Sequence, residues 1–506
     1  MKKILKCILA FVLVIVSVCT AITPAFAAAS VNDLPIVYVA GKNTYIYNKD
    51  GKRIYPTGDL SKAIEAKKND LLSAWAESLF IKNDWTPLSD AIYDLVFEQY
   101  KEFTPSDDGT ITNGTAIKPI NAPKVKKANF QLEDYVFTYD SRIDPYENAA
   151  NLNDYINAVL AATGKKKVQL IGRCLGSTII AAYLTVYGCS KVETTILYAP
   201  SSQGVIPLSA FFTGDIQFDK DAIYKYVDNN MLDESSDFVK MILRLLKAMY
   251  AFNWGVNSVE SAYRDIARTL YPRIVLTIYG KCPGFWTMVR DEYYEDAKRV
   301  VFGNNTAQYS KLIKKIDKYH YNVFNKFEST IKNCQKKGMK FAIITKYNTP
   351  MAPLFGNCTK QADNLVELEA ASFGATCADN GKTLSTAYIL KQEVAGEGKY
   401  LSPDLVIDAS TCKFPDQTWF IKDLAHEGLP NSVNELILEI FKSKEQYTVN
   451  SSERFPQFLQ YESDSNILTE VTLEGLPTDR NDSFLRKLAN AFNSIFALLK
   501  LLFKIR

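Results

Sequence analysis

Three residue types that together can move an acyl group occur in this chain in a usable order: a cysteine, an aspartate and a histidine. The cysteine is Cys174, in the stretch VQLIGRCLGST from Val168 to Thr178, which carries the pattern G-x-C-x-G at Gly172, Cys174 and Gly176. An apolar run, Val168 to Ile171, ends in this glycine-flanked turn, and a helical pattern, Ser177 to Tyr187, follows at once. Cys174 is therefore expected on a sharp strand-to-helix corner, where a nucleophile stands up from the sheet on a strained backbone. Gly172 and Gly176 supply the room, and the N–H of Leu175 would face a reacting carbonyl. With 23 Gly and 9 Cys in 506 residues, the pattern would arise by chance roughly 0.02 times, so its fit to the strand-to-helix boundary is informative.

A thiol needs a base to become thiolate, and the base needs an acid to hold its ring in the useful tautomer. The chain has 2 histidines. His320 lies in the basic helical run KLIKKIDKYHYN and reads as an ordinary helix-surface residue. His426 lies after the strand pattern TWFI and before a helix, Ser432 to Phe441, which makes it the candidate base. The acid should follow the strand Met339 to Thr345 and precede His426. Asp363, Glu367, Glu369, Asp379, Asp404, Asp408 and Asp416 all qualify by order. Asp363 sits in a polar loop tipping into an apolar segment, QADNLVELEAASFGA, and Asp408 and Asp416 remain alternatives. A second oxyanion donor would come from the backbone N–H of Lys42, in the turn that Gly41 permits.

These groups must be positioned by a sheet. Leu34 to Ala40, Tyr135 to Tyr139, Val168 to Ile171 and Thr194 to Tyr198 read as strands, with a helical pattern at Leu152, Tyr155, Ile156, Val159 and Leu160 between the second and third. Strand, helix, strand, helix, strand is the signature of a parallel sheet with crossover helices, an α/β fold. From 208 to 338 helical patterns dominate, which reads as an inserted helical cap, and sheet rhythm resumes at Met339. The expected division is a core of 28–207 and 339–445, the cap of 208–338, a polar and irregular linker of 446–483, and a terminal amphipathic helix of 484–506.

Composition narrows the class. The chain carries 59 basic and 56 acidic residues, a net charge of +3, so nothing favours nucleic acid as a partner. Lys2, Lys3 and Lys6, the apolar run Ile8 to Cys19 and the A-x-A site Ala25-Phe26-Ala27 make residues 1–27 an expected signal peptide, and the mature protein an exported or envelope-associated one. Cys174, Cys189, Cys282, Cys334, Cys358, Cys377 and Cys412 then remain; an odd number leaves at least one unpaired, a vacancy Cys174 fits. Among the others a Cys377–Cys412 disulfide is expected, because the two flank the loops that should bring Asp363 and His426 together. Phe484 to Arg506 combines a broad Leu, Phe and Ile face with Arg486, Lys487, Lys500 and Lys504, a pattern suited to the surface of an anionic membrane. Its alternative is docking on the protein's own core.

The segments PIVYVAG (35–41), YVFTYDSRIDPYENA (135–149), KVQLIGRCLGSTIIAAYL (167–184), CPGFWTMV (282–289), QADNLVELEAASFG (361–374) and TWFIKDLAHEG (418–428) resemble those of lipase-type α/β-hydrolases of the lecithin:cholesterol acyltransferase-like group. That resemblance implies an α/β-hydrolase fold with a large cap, and an enzyme acting on lipid-like or other acyl esters. It implies Cys174 as nucleophile where the group has Ser, Asp363 as acid, His426 as base, and the Leu175 and Lys42 N–H groups as oxyanion donors. Phe285 and Trp286 of the cap are expected to line an apolar acyl pocket beside Cys174. The chemistry calls for neither a metal nor an organic cofactor. A reading from another class is a hydrolase-fold envelope protein that binds lipid or polymer without turnover.

Overall fold

The computed structural model describes residues 33–41, 45–55, 66–78, 86–118, 123–125, 130–215, 270–351 and 359–472. The expected signal peptide, Lys42, Cys358, cap residues 216–269 and the terminal stretch Phe484–Arg506 lie outside the described residues.

The centre of the fold is an eight-stranded sheet. Its strands are β1 (Ile36–Val39), β2 (Tyr135–Phe137), β3 (Val168–Arg173), β4 (Val192–Tyr198), β5 (Lys340–Tyr347), β6 (Thr418–Lys422), β7 (Phe458–Glu462) and β8 (Ile467–Glu470). The spatial order is β8-β7-β6-β5-β4-β3-β1-β2. Every neighbouring pair is parallel except the terminal β7–β8 hairpin. The reversal at the β1–β2 edge and the nucleophile corner after β3 make this an α/β-hydrolase fold.

β7 and β8 correct the expectation of an irregular linker over 446–483: Phe458–Glu462 and Ile467–Glu470 within it extend the sheet. Phe458 and Leu459 bury against the core while the residues after them are half exposed. Strands of four or five residues with a half-exposed polar end do not stand out in a sequence.

The sheet is buried on both faces, as its alternating residues require. Val37, Val39, Leu170, Leu197, Phe341 and Ile343 face one apolar cluster, shared with helix α1 (Pro145–Thr163) and helix α2 (Gly176–Tyr187). Ile36, Tyr38, Ile171, Ile196, Tyr198, Ile344, Trp419 and Ile421 face another, covered by helix α7, which spans Asn431–Lys442. Helix α1 shows how local signals set its ends. The Asp144 carboxylate accepts from the Tyr146 N–H at 2.9 Å, Pro145 occupies the first turn, and Gly164 closes the helix at φ 67°. Between those ends Ala149, Leu152, Ile156 and Val159 form the buried stripe, each large side chain contributing about 1.5–3 kcal/mol.

Between β4 and β5 the described chain is mainly helical. It includes α3 (Ile206–Thr213), α4 (Asp291–Phe302), α5 (Ser310–Asn322) and α6 (Phe327–Lys336). His320 corrects its reading as a surface residue: it is 2% exposed on α5. Its ring stacks on Tyr294 at 3.6 Å and meets Asp291 at 2.8 Å. The apolar stripe of α5 turns it inward.

Candidate active site

The four central strands end alike. Cys174, Ala199, Asn348 and Asp423 directly follow β3, β4, β5 and β6, with φ of 47°, 42°, 67° and 60°. A left-handed backbone costs a non-glycine residue of order 1–3 kcal/mol and tends to collect where chemistry is done. Here it turns the chain sharply off the carboxyl edge of the sheet, where ligand sites of α/β folds lie.

Cys174 occupies the corner. Its N–H donates to Tyr198 O at 3.1 Å, and its carbonyl accepts from Ser177 N at 2.9 Å and Ser177 Oγ at 2.6 Å. Both flanking glycines are needed, for different reasons. A Cβ on Gly176 would lie 2.4 Å from Val39 O and 2.7 Å from Ala40 O, so α2 starts hard against the end of β1. One on Gly172 would meet the Ile180 methyl at 2.6 Å. The close approach at Gly176 also brings the β1 turn to the nucleophile: a Cβ on Gly41 would be 3.5 Å from Cys174 Cβ. Leu175 is the N-cap of α2 and offers no side-chain cap. The amino end of the helix, with its partial positive charge, thus adjoins Cys174.

His426 and Asp363 meet as a buried pair, each 1% exposed. His426 Nδ1 donates to Asp363 Oδ2 at 2.7 Å, and the His426 N–H donates to Asp363 O at 2.7 Å. The other carboxylate oxygen, Oδ1, accepts from Leu365 N at 3.1 Å and Val366 N at 2.8 Å, around a turn that places Asn364 at φ 76°. Burial raises the Asp363 pKa, but the charges of His426 and Lys346 and the bonds it accepts outweigh it and leave the carboxyl below its ordinary value. Burial lowers the His426 pKa; Asp363 and Cys174 reverse this and raise it to about 10. With Nδ1 committed to Asp363, Nε2 is the nitrogen left for proton transfer. It makes no hydrogen bond of good geometry in this structure, yet Cys174 lies near enough to raise the imidazole's pKa. Pairs of this kind are often loose in a free enzyme and tighten around substrate.

The rival acids are engaged elsewhere. Asp408 accepts from Ser410 N at 2.9 Å and Tyr388 Oη at 2.8 Å, Asp404 pairs with Lys422 at 3.0 Å, and Asp416 accepts from Tyr400 Oη at 2.8 Å. Phe285 and Trp286, expected to line a pocket beside Cys174, are buried among other aromatic rings. Phe285 stacks on Tyr279 at 4.2 Å, and Trp286 meets Phe212 edge-on at 4.7 Å and stacks on Phe302 at 5.3 Å. Large rings gain more from mutual edge and face contacts than from a rim position. The expected oxyanion donor Lys42 lies outside the described residues.

Several supporting residues were not singled out in the sequence. Lys346, Arg173 and Tyr198 all bond the backbone of the His426 loop, and Glu427 pairs with Arg173 at 2.5 Å. A lysine inside the apolar strand KFAIITKY and an arginine within the nucleophile motif are the signals that could have found the first two. Glu367, four residues past Asp363, is 1% exposed, and both of its carboxylate oxygens accept from Ile206 N at the start of α3, at 3.0 and 3.1 Å. Burial pushes its pKa up to about 7.

Cys377 and Cys412, expected as a disulfide, are both free thiols in the structure, as are Cys189, Cys282 and Cys334. Burial pushes Cys377 up to about 11 and Cys412 and Cys334 up to about 12, which makes them poor nucleophiles at neutral pH.

No protein-family model and no curated protein matches the sequence. Among solved structures the chain is similar to a bromoperoxidase from Bacillus anthracis, at 10% identity and a TM-score of 0.15, over 56% of this chain and 92% of that one.

Proposed function

We propose that this protein is an acyl-ester hydrolase or acyltransferase using Cys174, His426 and Asp363, akin to the lecithin:cholesterol acyltransferase-like group. The observation that carries the reading is the pairing of a left-handed Cys174 at the strand-to-helix corner with a fully buried Asp363–His426 couple on the adjoining loops. In the first step Cys174 Sγ, its proton passed to His426 Nε2, attacks the ester carbonyl. The Leu175 N–H, with a second donor from the turn after β1, meets the oxyanion. The tetrahedral adduct then collapses, breaking the bond to the leaving oxygen, and the imidazolium returns its proton to that alkoxide. A thioester on Cys174 remains. Water or an alcohol, deprotonated by Nε2, attacks it, and the thiolate leaves and is reprotonated. Asp363 keeps Nδ1 protonated throughout and stabilises the imidazolium.

Lipid-like acyl esters are the proposed substrates, met after export directed by residues 1–27. Phe484–Arg506 would rest on an anionic membrane, each buried CH₂ contributing about 0.8 kcal/mol before ordering costs. Turnover of p-nitrophenyl esters of graded chain length, with trapping of the thioester by intact-mass measurement, tests the chemistry. Undiminished activity in Cys174→Ala would remove Cys174 from the mechanism. Absence of turnover on every ester, with lipid still bound, would favour the non-catalytic binding protein. Flotation on anionic vesicles, comparing the full chain with one ending at Asp482, tests the membrane contact.

A further inference from the structure

Three adjacent strands each send one long side chain to the backbone of residues 425–428. From the end of β3, Arg173 Nη2 donates to His426 O at 3.3 Å. From the end of β4, Tyr198 Oη donates to Gly428 O. Lys346, on β5, donates from Nζ to Ala425 O at 2.9 Å, His426 O at 2.7 Å and Gly428 O at 2.8 Å. The register explains the convergence. Arg173 pairs with Tyr198, and Tyr198 with Ile344, two residues before Lys346, so all three side chains rise from the same face of the sheet.

Lys346 is the centre of this arrangement. It is 0% exposed, and its ammonium stands over the Tyr198 ring at 4.5 Å from the centroid. An ammonium has three N–H donors and no acceptor, and here three carbonyls take all three. Those carbonyls belong to the residue before His426, to His426 itself and to the second residue after it. A buried cation is retained only where it is well paired, and a backbone segment held at three points by one charge has little freedom to drift. Burial lowers the Lys346 pKa to about 7, and the Arg173 charge acts in the same direction, while the charges of Asp363 and Glu427 favour the ammonium and limit the fall.

We propose that Lys346 is a positioning residue for the acyl-transfer chemistry: its ammonium fixes the 425–428 backbone so that His426 reaches Asp363 and Cys174 together. This rests on the proposed role of His426 as base. Lys346 touches no reacting atom; it acts through the loop. A misplacement of about 1 Å in a catalytic group can cost about 100-fold in rate, and that is the scale expected here.

The test uses the full-length protein with Lys346→Met, which keeps the shape and removes the donors, and Lys346→Gln, which keeps part of them. With only 2 histidines in the chain, ¹⁵N-histidine labelling gives a simple imidazole spectrum. The wild type should show a downfield, slowly exchanging Nδ1–H from the His426–Asp363 bond. In Lys346→Met that signal should broaden or vanish, and kcat should fall about 100-fold with KM little changed. Lys346→Gln should lie between, and it decides the matter by the same readings if the methionine variant does not fold. A folded variant that keeps the sharp Nδ1–H signal and wild-type kcat would overturn the proposal. If the wild type turns over no ester, the functional reading fails, while the imidazole signal still decides whether Lys346 positions His426.

Discussion

Asp363 holds His426 twice, through its carboxylate to Nδ1 at 2.7 Å and through its backbone carbonyl to the His426 N–H at 2.7 Å. The second bond places the loop after β6 independently of the side chain. The first sets the tautomer. Substituting Asp363→Asn therefore should leave the loop in place and put the wrong proton pattern on the imidazole. We expect kcat to drop about 10³–10⁴-fold with KM nearly unchanged, read from ester turnover on a variant whose circular dichroism matches the wild type.

Selective alkylation should find Cys174. Under native conditions one equivalent of iodoacetamide should add to Cys174 first, since burial pushes Cys334, Cys377 and Cys412 up to about 11 or 12. Peptide mapping reads the site. Modification of Cys377 ahead of Cys174 would count against the corner as a nucleophile position.

The two glycines of the motif should differ in cost. Gly176→Ala drives a Cβ to 2.4 Å from a backbone oxygen, whereas the shortest contact of Gly172→Ala, 2.6 Å, is with the end of the Ile180 side chain, which can move, and its backbone contacts, Gly176 O and Ser177 N, are at 3.1 Å. Urea unfolding should show Gly176→Ala as the more damaging, at about 3 kcal/mol or more against about 1–2 for Gly172→Ala. Gly176→Ala should also abolish turnover, because it separates the corner from the β1 turn.

Glu367 should make stability depend on pH. Its folded pKa, about 7, lies above the ordinary 4.5, so the folded state binds more protons across that window. Its contribution is fully present below about 4.5 and declines as pH rises through about 7. Glu367→Gln, which retains an acceptor for Ile206 N, should raise the melting temperature relative to wild type at pH 8 and change it little at pH 4.5. An equal shift at both pH values would show that the carboxyl titrates in the ordinary range.

The motif around Cys174 was legible because its information is local. A nucleophile corner needs an apolar strand, small flanking residues and an immediate helix, all within eleven consecutive residues, Val168 to Thr178. Core strands were legible for the same reason, as short apolar runs bounded by turn residues. His426 was legible by scarcity and order. Its acid was not settled by sequence alone: Asp363, Asp408 and Asp416 all precede it in polar loops. In the tertiary structure Asp363 pairs with His426 at 2.7 Å, while Asp408 and Asp416 are taken up by Tyr388 and Tyr400. The inward turn of His320 and the added strands β7 and β8 were likewise settled by packing partners far away in the chain. Lys346 states the distinction most plainly. In the sequence it is one lysine at the end of an apolar run; in the fold its three donors find carbonyls about 80 residues away, a match that exists only once the parallel strands are in register.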